Sequence, residues 1–240
     1  MAKEKVLIAG VDGCKKGWLV GIFSANKGKY KLESLTVAKY FAEVVLKTKN
    51  CKAVCADIPI GLSENERPRK CDTQARKILG FPRASSVFSP PVRQCLHAKS
   101  YKHACDISFK ITGKKLSRQS FNILRKIRQV DELMTPVFQK KFHEIHPEIS
   151  FWALNTGKPM QHKKQKKAGR RERLKVLSPK FRDTSEAILK KPQGTTADDV
   201  LDVFAAGWTA AQAAKRRIRT LPEKPDVDSK GLRMEIVYPL

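Results

Sequence analysis

The sequence predicts an α/β fold built on a mixed five-stranded sheet with helices on its faces. Two observations carry this. Residues 5–12, 18–24 and 30–37 are short apolar runs joined by tight turns, the mark of antiparallel neighbours. A helix-spaced stretch at 38–47 then leads to another apolar run at 53–58, so the chain can return parallel to the first strand.

Each element has its own signal. Gly13 to Gly17 bound the first turn, and Asn26-Lys27-Gly28 form the second. In 38–47, Tyr40, Phe41, Val44 and Val45 fall on one side of a helix. The run Ala53-Val54-Cys55-Ala56 lacks polar alternation, which predicts burial on both faces, and Pro59 and Gly61 end it. Residues 62–140 read as mainly helical and polar, broken at Gly80-Phe81-Pro82 and Ser89-Pro90-Pro91. Within them, 117–134 carries Phe121, Leu124, Ile127, Val130 and Leu133 or Met134 at helical spacing. Phe142 to His146 form a short strand stopped by Pro147, and the basic stretch 158–182 is the only candidate linker. In 196–214, Thr196 can cap a helix whose stripe is Leu201, Phe204 and Trp208. There is no internal repeat. This order of elements matches the RNase H-like fold, with strand order 3-2-1-4-5. Residues 1–240 are expected to form one such domain with a helical insertion at about 62–140.

The charge is lopsided. Lys and Arg number 49 against 23 Asp and Glu, a formal net charge of +26. A surface so basic repels itself unless an anion binds it, and nucleic acid is the first candidate partner. No apolar run approaches the roughly 20 residues of a membrane helix, and the N-terminal run is too short for a signal peptide. Six scattered cysteines fit reduced thiols, so the expected setting is cytoplasmic, with no membrane partner. Cys95, His97, His103 and Cys105 could be drawn as a zinc site, but their spacing matches no common zinc pattern.

Because acids are scarce, those attached to apolar elements stand out. Asp12 ends the first strand and Asp57 the fourth. If these strands are parallel neighbours, both carboxylates leave the same sheet edge, where they repel unless a cation sits between them. Mg²⁺, or Mn²⁺ in its place, suits oxygen ligands. On the last helix, Asp199 and Asp202 are i,i+3, and Asp198 and Asp202 are i,i+4. Asp198 also suits the helix dipole, whereas Asp202, one turn further in, reads as a ligand. Glu148 and Glu144 flank His146-Pro147. Glu148 reads equally as a helix-start acid, and His146 as a structural hydrogen-bonder. Together Asp12, Asp57, Glu148, Asp199 and Asp202 form the candidate catalytic set, with Asp12, Asp57, Asp199 and Asp202 as metal ligands and Glu144, His146 and Asp198 as further candidates. Such a set suits two-metal hydrolysis of phosphodiesters. Residues 158–182 hold 11 Lys or Arg and one acid. Lys163, Lys164, Lys166, Lys167, Arg170 and Arg171 in that run, with Lys126 and Arg128, are candidate nucleic-acid contacts. The bland alternative is a solvated face, often partly disordered.

Seven ordered stretches resemble a known family. They are Gly10-Val11-Asp12-Gly13-Cys14-Lys15, Ala56-Asp57-Ile58-Pro59-Ile60-Gly61, Ser85-Ser86-Val87-Phe88, Lys126-Ile127-Arg128-Gln129-Val130-Asp131, His146-Pro147-Glu148-Ile149-Ser150-Phe151-Trp152, Val200-Leu201-Asp202 and Gly231-Leu232-Arg233-Met234-Glu235-Ile236. From about residue 5 onward the chain is similar to domain-of-unknown-function family 429 (DUF429), described as predicted nucleases of RNase H-like fold. The resemblance implies that fold and a nuclease activity, without supplying a substrate, with Asp12, Asp57, Glu148 and the Asp199/Asp202 pair at its acidic positions. It also places Arg83, Ser85, Ser86, Lys126 and Arg128 where they could line a cleft. Family members usually carry Gly where Lys16 stands. The same fold hosts sugar kinases and chaperone ATPases. A phosphate-binding protein of that actin-like class, and a nucleic-acid binder with an idle acidic site, are therefore the alternatives. The sequence does not separate DNA from RNA, and a homodimer stands open beside a monomer.

Overall fold

The structure, a computed structural model, describes residues 6–26 and 29–240. Strand β1 (Val6–Cys14) lies at the centre of a five-stranded sheet. It pairs antiparallel with β2 (Gly17–Asn26), and β2 pairs antiparallel with β3 (Lys29–Ala38). On its other side β1 runs parallel to β4 (Val54–Ala56), which runs parallel to β5 (Phe142–Glu144). The order β3-β2-β1-β4-β5 is the expected one and is that of the RNase H-like fold. Lys5, and Lys27 and Gly28 of the expected turn, lie outside the described residues.

Parallel neighbours need crossovers. Helix α1 (Phe41–Lys47) provides the first. The second is the helical insertion, with α2 (Lys70–Arg83), α3 (Tyr101–Thr112) and α4 (Arg118–Leu133). Helix α2 is interrupted at Gly80, whose φ of 53° only glycine adopts without strain, at the expected break. Ser100 and Ser117 cap α3 and α4 through their side chains.

After β5 come α5 (Pro147–Leu154), α6 (Lys167–Leu177), α7 (Thr184–Leu189) and α8 (Ala197–Ala213). A two-stranded sheet of β6 (Ile218–Leu221) and β7 (Ile236–Pro239) follows. The basic stretch 158–182 is not a linker: α6 runs through it and buries Gly169, Arg173 and Leu177. An arginine is buried only with a partner, and the partner is Glu148, 25 residues away in sequence, which local patterning does not reveal.

Two apolar layers cover the sheet. Ala9, Val11, Val54 and Ala56 face α1 and the insertion, with Phe41 and Ile127. Ile8, Ala53 and Cys55 face α8, with Phe204 and Ala206. Helix α8 lies directly against β1. A methyl group added at Gly10 would stand 2.1 Å from the Val203 carbonyl oxygen and 2.5 Å from the Gly207 nitrogen. This close approach sets the position of Asp202, the residue before Val203.

Candidate active site

Alternation along the strands decides where the acids point. Ile8 and Gly10 face α8, so Asp12, two residues on, faces it too. Ala53 and Cys55 face the same layer, and Asp57 follows them by two. The Asp57 amide donates to the Val11 carbonyl at 3.0 Å, which fixes the two chain ends side by side. Asp12 and Asp57 therefore leave one edge of the sheet on one face, as the sequence predicts. Asp202 descends from α8, and Glu148 reaches in from α5.

Crowding and burial act on these groups. Burial holds the Asp12 carboxyl well above the usual range, and the charges of Asp202 and Asp57 push it further. Burial raises Asp57 to about 6, opposed by Lys164 and aided by Glu148. Asp202 is likewise raised to about 6 by burial, opposed by Lys164 and aided by Asp57. Among the described residues, neither Asp12 nor Asp57 has a hydrogen-bonded or ion-paired side chain. Asp202 Oδ1 and Glu148 Oε2 are buried without a partner.

The positive charge comes from within the basic stretch. The Lys164 ammonium pairs with Asp202 Oδ2, and Asp12 and Asp57 add to the field that keeps it protonated. Arg173, fully buried, pairs with Glu148 through one nitrogen. Through another it donates to the carbonyls of His162 (3.0 Å) and Gly169 (2.9 Å). Glu172 accepts from the amides of Gln161 (2.7 Å) and His162 (3.0 Å). These contacts pin the loop that carries Lys164.

The other candidates are placed differently. Asp199 closes a capping box with Thr196, one of its oxygens accepting the Thr196 amide at 2.9 Å. Asp198 pairs with Arg170 at 3.0 Å. Glu144 follows Phe142 by two, and Phe142 packs in the layer opposite α8, so Glu144 points away from Asp12. There it pairs with buried Arg69 and accepts the Ile60 amide. His146 is the residue preceding α5, and its Nε2 lies 3.3 Å from the Ser86 carbonyl. Burial lowers its pKa and favours the neutral ring.

Of the basic candidates, Lys163, Lys166, Lys167 and Arg171 are exposed, while Lys164 and Arg170 turn inward to acids. Lys126 donates to the Cys14 carbonyl at 3.0 Å, beside the turn that follows Asp12. Arg128 lies 3.7 Å from Glu132 on the surface of α4. A cleft of ≈ 530 Å³ opens along the insertion, lined in part by Arg76, Ser85, Phe88, Lys114 and Lys115. Its wall residues Val87, Phe88 and Pro90 also border a small hollow that reaches Asp57 and His146.

Arg173 was not among the sequence candidates. Its signal was the four-residue spacing Gly169, Arg173, Leu177, which is the buried stripe of α6.

The donor set is all oxygen, and two buried carboxylate oxygens have no partner, so its chemistry fits a hard divalent ion. Among the described residues no three His, Cys, Asp or Glu side chains are placed to hold a metal ion together, so an ion here would rest on two carboxylates and waters. At the acidic pocket the Lys164 ammonium stands among the carboxylates. The zinc drawing also gives way: the Cys95 and Cys105 thiols donate to the carbonyls of Ala104 (3.5 Å) and Leu116 (3.6 Å) in the core. All six cysteines are free and buried. Among the described residues no helix is long and apolar enough to cross a membrane.

The model of a family described as protein of unknown function (DUF429) matches residues 10–227. No curated protein and no solved structure matches the chain.

Proposed function

The chain belongs to the DUF429 family, and on that premise we propose that its acidic pocket hydrolyses phosphodiester bonds of nucleic acid with the help of a divalent cation. One observation carries the reading. Asp12 and Asp57 present unbonded carboxylates from one sheet edge towards Asp202 and Glu148, which hold oxygens without partners. Four carboxylates share this pocket with two cationic side chains, Lys164 and Arg173, and the charge left over favours a divalent cation.

Asp12 and Asp57 would hold Mg²⁺ or Mn²⁺, with Asp202 and Glu148 behind them. Such an ion supplies a nucleophilic water at neutral pH and neutralises phosphate charge. Hydrolysis joins a water oxygen to phosphorus and breaks the bond to the leaving sugar oxygen. A carboxylate of the pocket accepts the water's proton, and the leaving oxygen takes one from solvent. Exposed Lys163, Lys166, Lys167 and Arg171 lie on the same segment as Lys164 and would draw the polyanion in.

The test is cleavage of labelled DNA and RNA with Mg²⁺, with Mn²⁺ and with chelator. Cleavage that needs the ion and is lost in Asp12→Asn and Asp57→Asn is expected, since an amide is a poorer ligand of the same shape. Cleavage that persists in both variants would remove these residues from the reaction.

A further inference from the structure

We propose that Lys164 fills one of the two cation positions in the acidic pocket, so that the pocket takes a single divalent ion beside Asp12 and Asp57. The inference rests on the metal-dependent reading above and fixes how many ions that site holds.

Lys164 is built into the pocket. It pairs with Asp202, which is 2% exposed. Its loop is tied down on both sides, by Arg173 through the His162 and Gly169 carbonyls and by Glu172 through two amides. The loop also packs tightly on α6, since a methyl group at Gly169 would lie 2.1 Å from the Lys163 carbonyl oxygen. A surface lysine that happened to swing inward would have no such scaffold.

Charge balance points the same way. Once deprotonated, Asp12, Asp57, Asp202 and Glu148 bring four negative charges, and Lys164 and Arg173 offset two of them. One divalent ion neutralises the remainder. A second would leave excess positive charge in a buried site, which is costly. Ligand supply agrees. Asp202 gives Oδ2 to Lys164, and no three His, Cys, Asp or Glu side chains among the described residues are placed to hold an ion together, which leaves ligands for at most one. Two carboxylates plus waters suit Mg²⁺, which keeps several of its waters. Asp202 Oδ1 and Glu148 Oε2, buried without partners, are left to accept hydrogen bonds from those waters. The Lys164 ammonium would meet a non-bridging oxygen of the phosphate as a compact point charge, the part a second ion plays in a two-metal site.

The experiment counts Mn²⁺ bound per chain by electron paramagnetic resonance during titration with MnCl₂. It uses the full chain and the neutral variants Lys164→Met and Lys164→Gln, alongside thermal melting. One ion is expected in the wild type and two in the variants. Without ions the variants should melt below the wild type, and saturating MnCl₂ should raise their Tm by more than it raises the wild type's. Two ions in the wild type, or one ion in wild type and variants alike, would overturn the proposal while the metal-dependent reading stands. No ion in any of them would overturn both. If neither neutral variant folds, Lys164→Arg keeps the charge: one ion is expected in it, and two would overturn the proposal.

Discussion

Asp57 is a partly buried acid whose proton is held by its surroundings rather than by a partner. Its pKa rises to about 6 in the folded chain, chiefly through burial. Between the ordinary carboxylate value and about 6, the folded form keeps a proton that the unfolded chain has lost. Stability from this group is therefore full below the unfolded value and is lost as pH rises through about 6. In chelator near pH 7.5, Asp57→Asn should stabilise the protein by on the order of 2 kcal/mol, or about 4–8 °C in Tm. Near pH 4 the gain should vanish. A variant that melts lower than wild type at the higher pH would contradict this cost of burying the Asp57 charge. Arg173 is the opposite case. Arg173→Met leaves Glu148 buried and unpaired, which should cost about 3–5 kcal/mol. It also frees the loop that carries Lys164, so trypsin should cut at Lys163, Lys164, Lys166 or Lys167 well before it cuts the wild type there.

Helix α8 places its acids by lying against β1 without side chains between the backbones. Gly10→Ala should push α8 off the sheet, cost about 1–3 kcal/mol or more, and weaken Mn²⁺ binding because Asp202 moves with the helix. Binding unchanged in a folded Gly10→Ala variant would show that Asp202 plays no part. Asp199→Ala loses the capping box, and should cost about 1 kcal/mol of stability with a smaller effect on ion affinity than Asp202→Ala has. Much of this architecture was legible. Strands β1 to β4 announce themselves by apolar runs between glycine turns, and α8 by its cap and stripe. The parity of β1 and β4 put Asp12 and Asp57 together. Parity could also have turned Glu144 away, because Phe142 and Glu144 must share a face. The stretch 158–182, which contains α6, reads as a basic linker because the buried stripe of that helix contains an arginine. Strands β6 and β7 do not stand out in the sequence: β6, Ile218-Arg219-Thr220-Leu221, has no apolar run, and β7 is a single short run that ends in Pro239.

Over the whole molecule, a net charge of +26 surrounds a pocket of four acids. The sequence pattern assigned the run around Lys164 to phosphate contact as a block. The structure divides it: Lys164 and Arg170 face acids, while Lys163, Lys166, Lys167 and Arg171 face solvent. Replacing those four exposed residues with Gln should weaken nucleic-acid binding equally across sequences. It should also flatten the slope of log affinity against log salt by roughly 2–4 units, read by fluorescence anisotropy at several salt concentrations. An unchanged slope would mean that this face does not meet phosphates. Every further step depends on whether the carboxylates that the fold gathers under α8 bind a divalent ion. Anomalous diffraction from a crystal soaked in MnCl₂ measures this without choosing a substrate. A manganese peak within ligand distance of Asp12 and Asp57 is expected. A well-ordered pocket with no peak there, in a crystal that takes up manganese elsewhere, would contradict it.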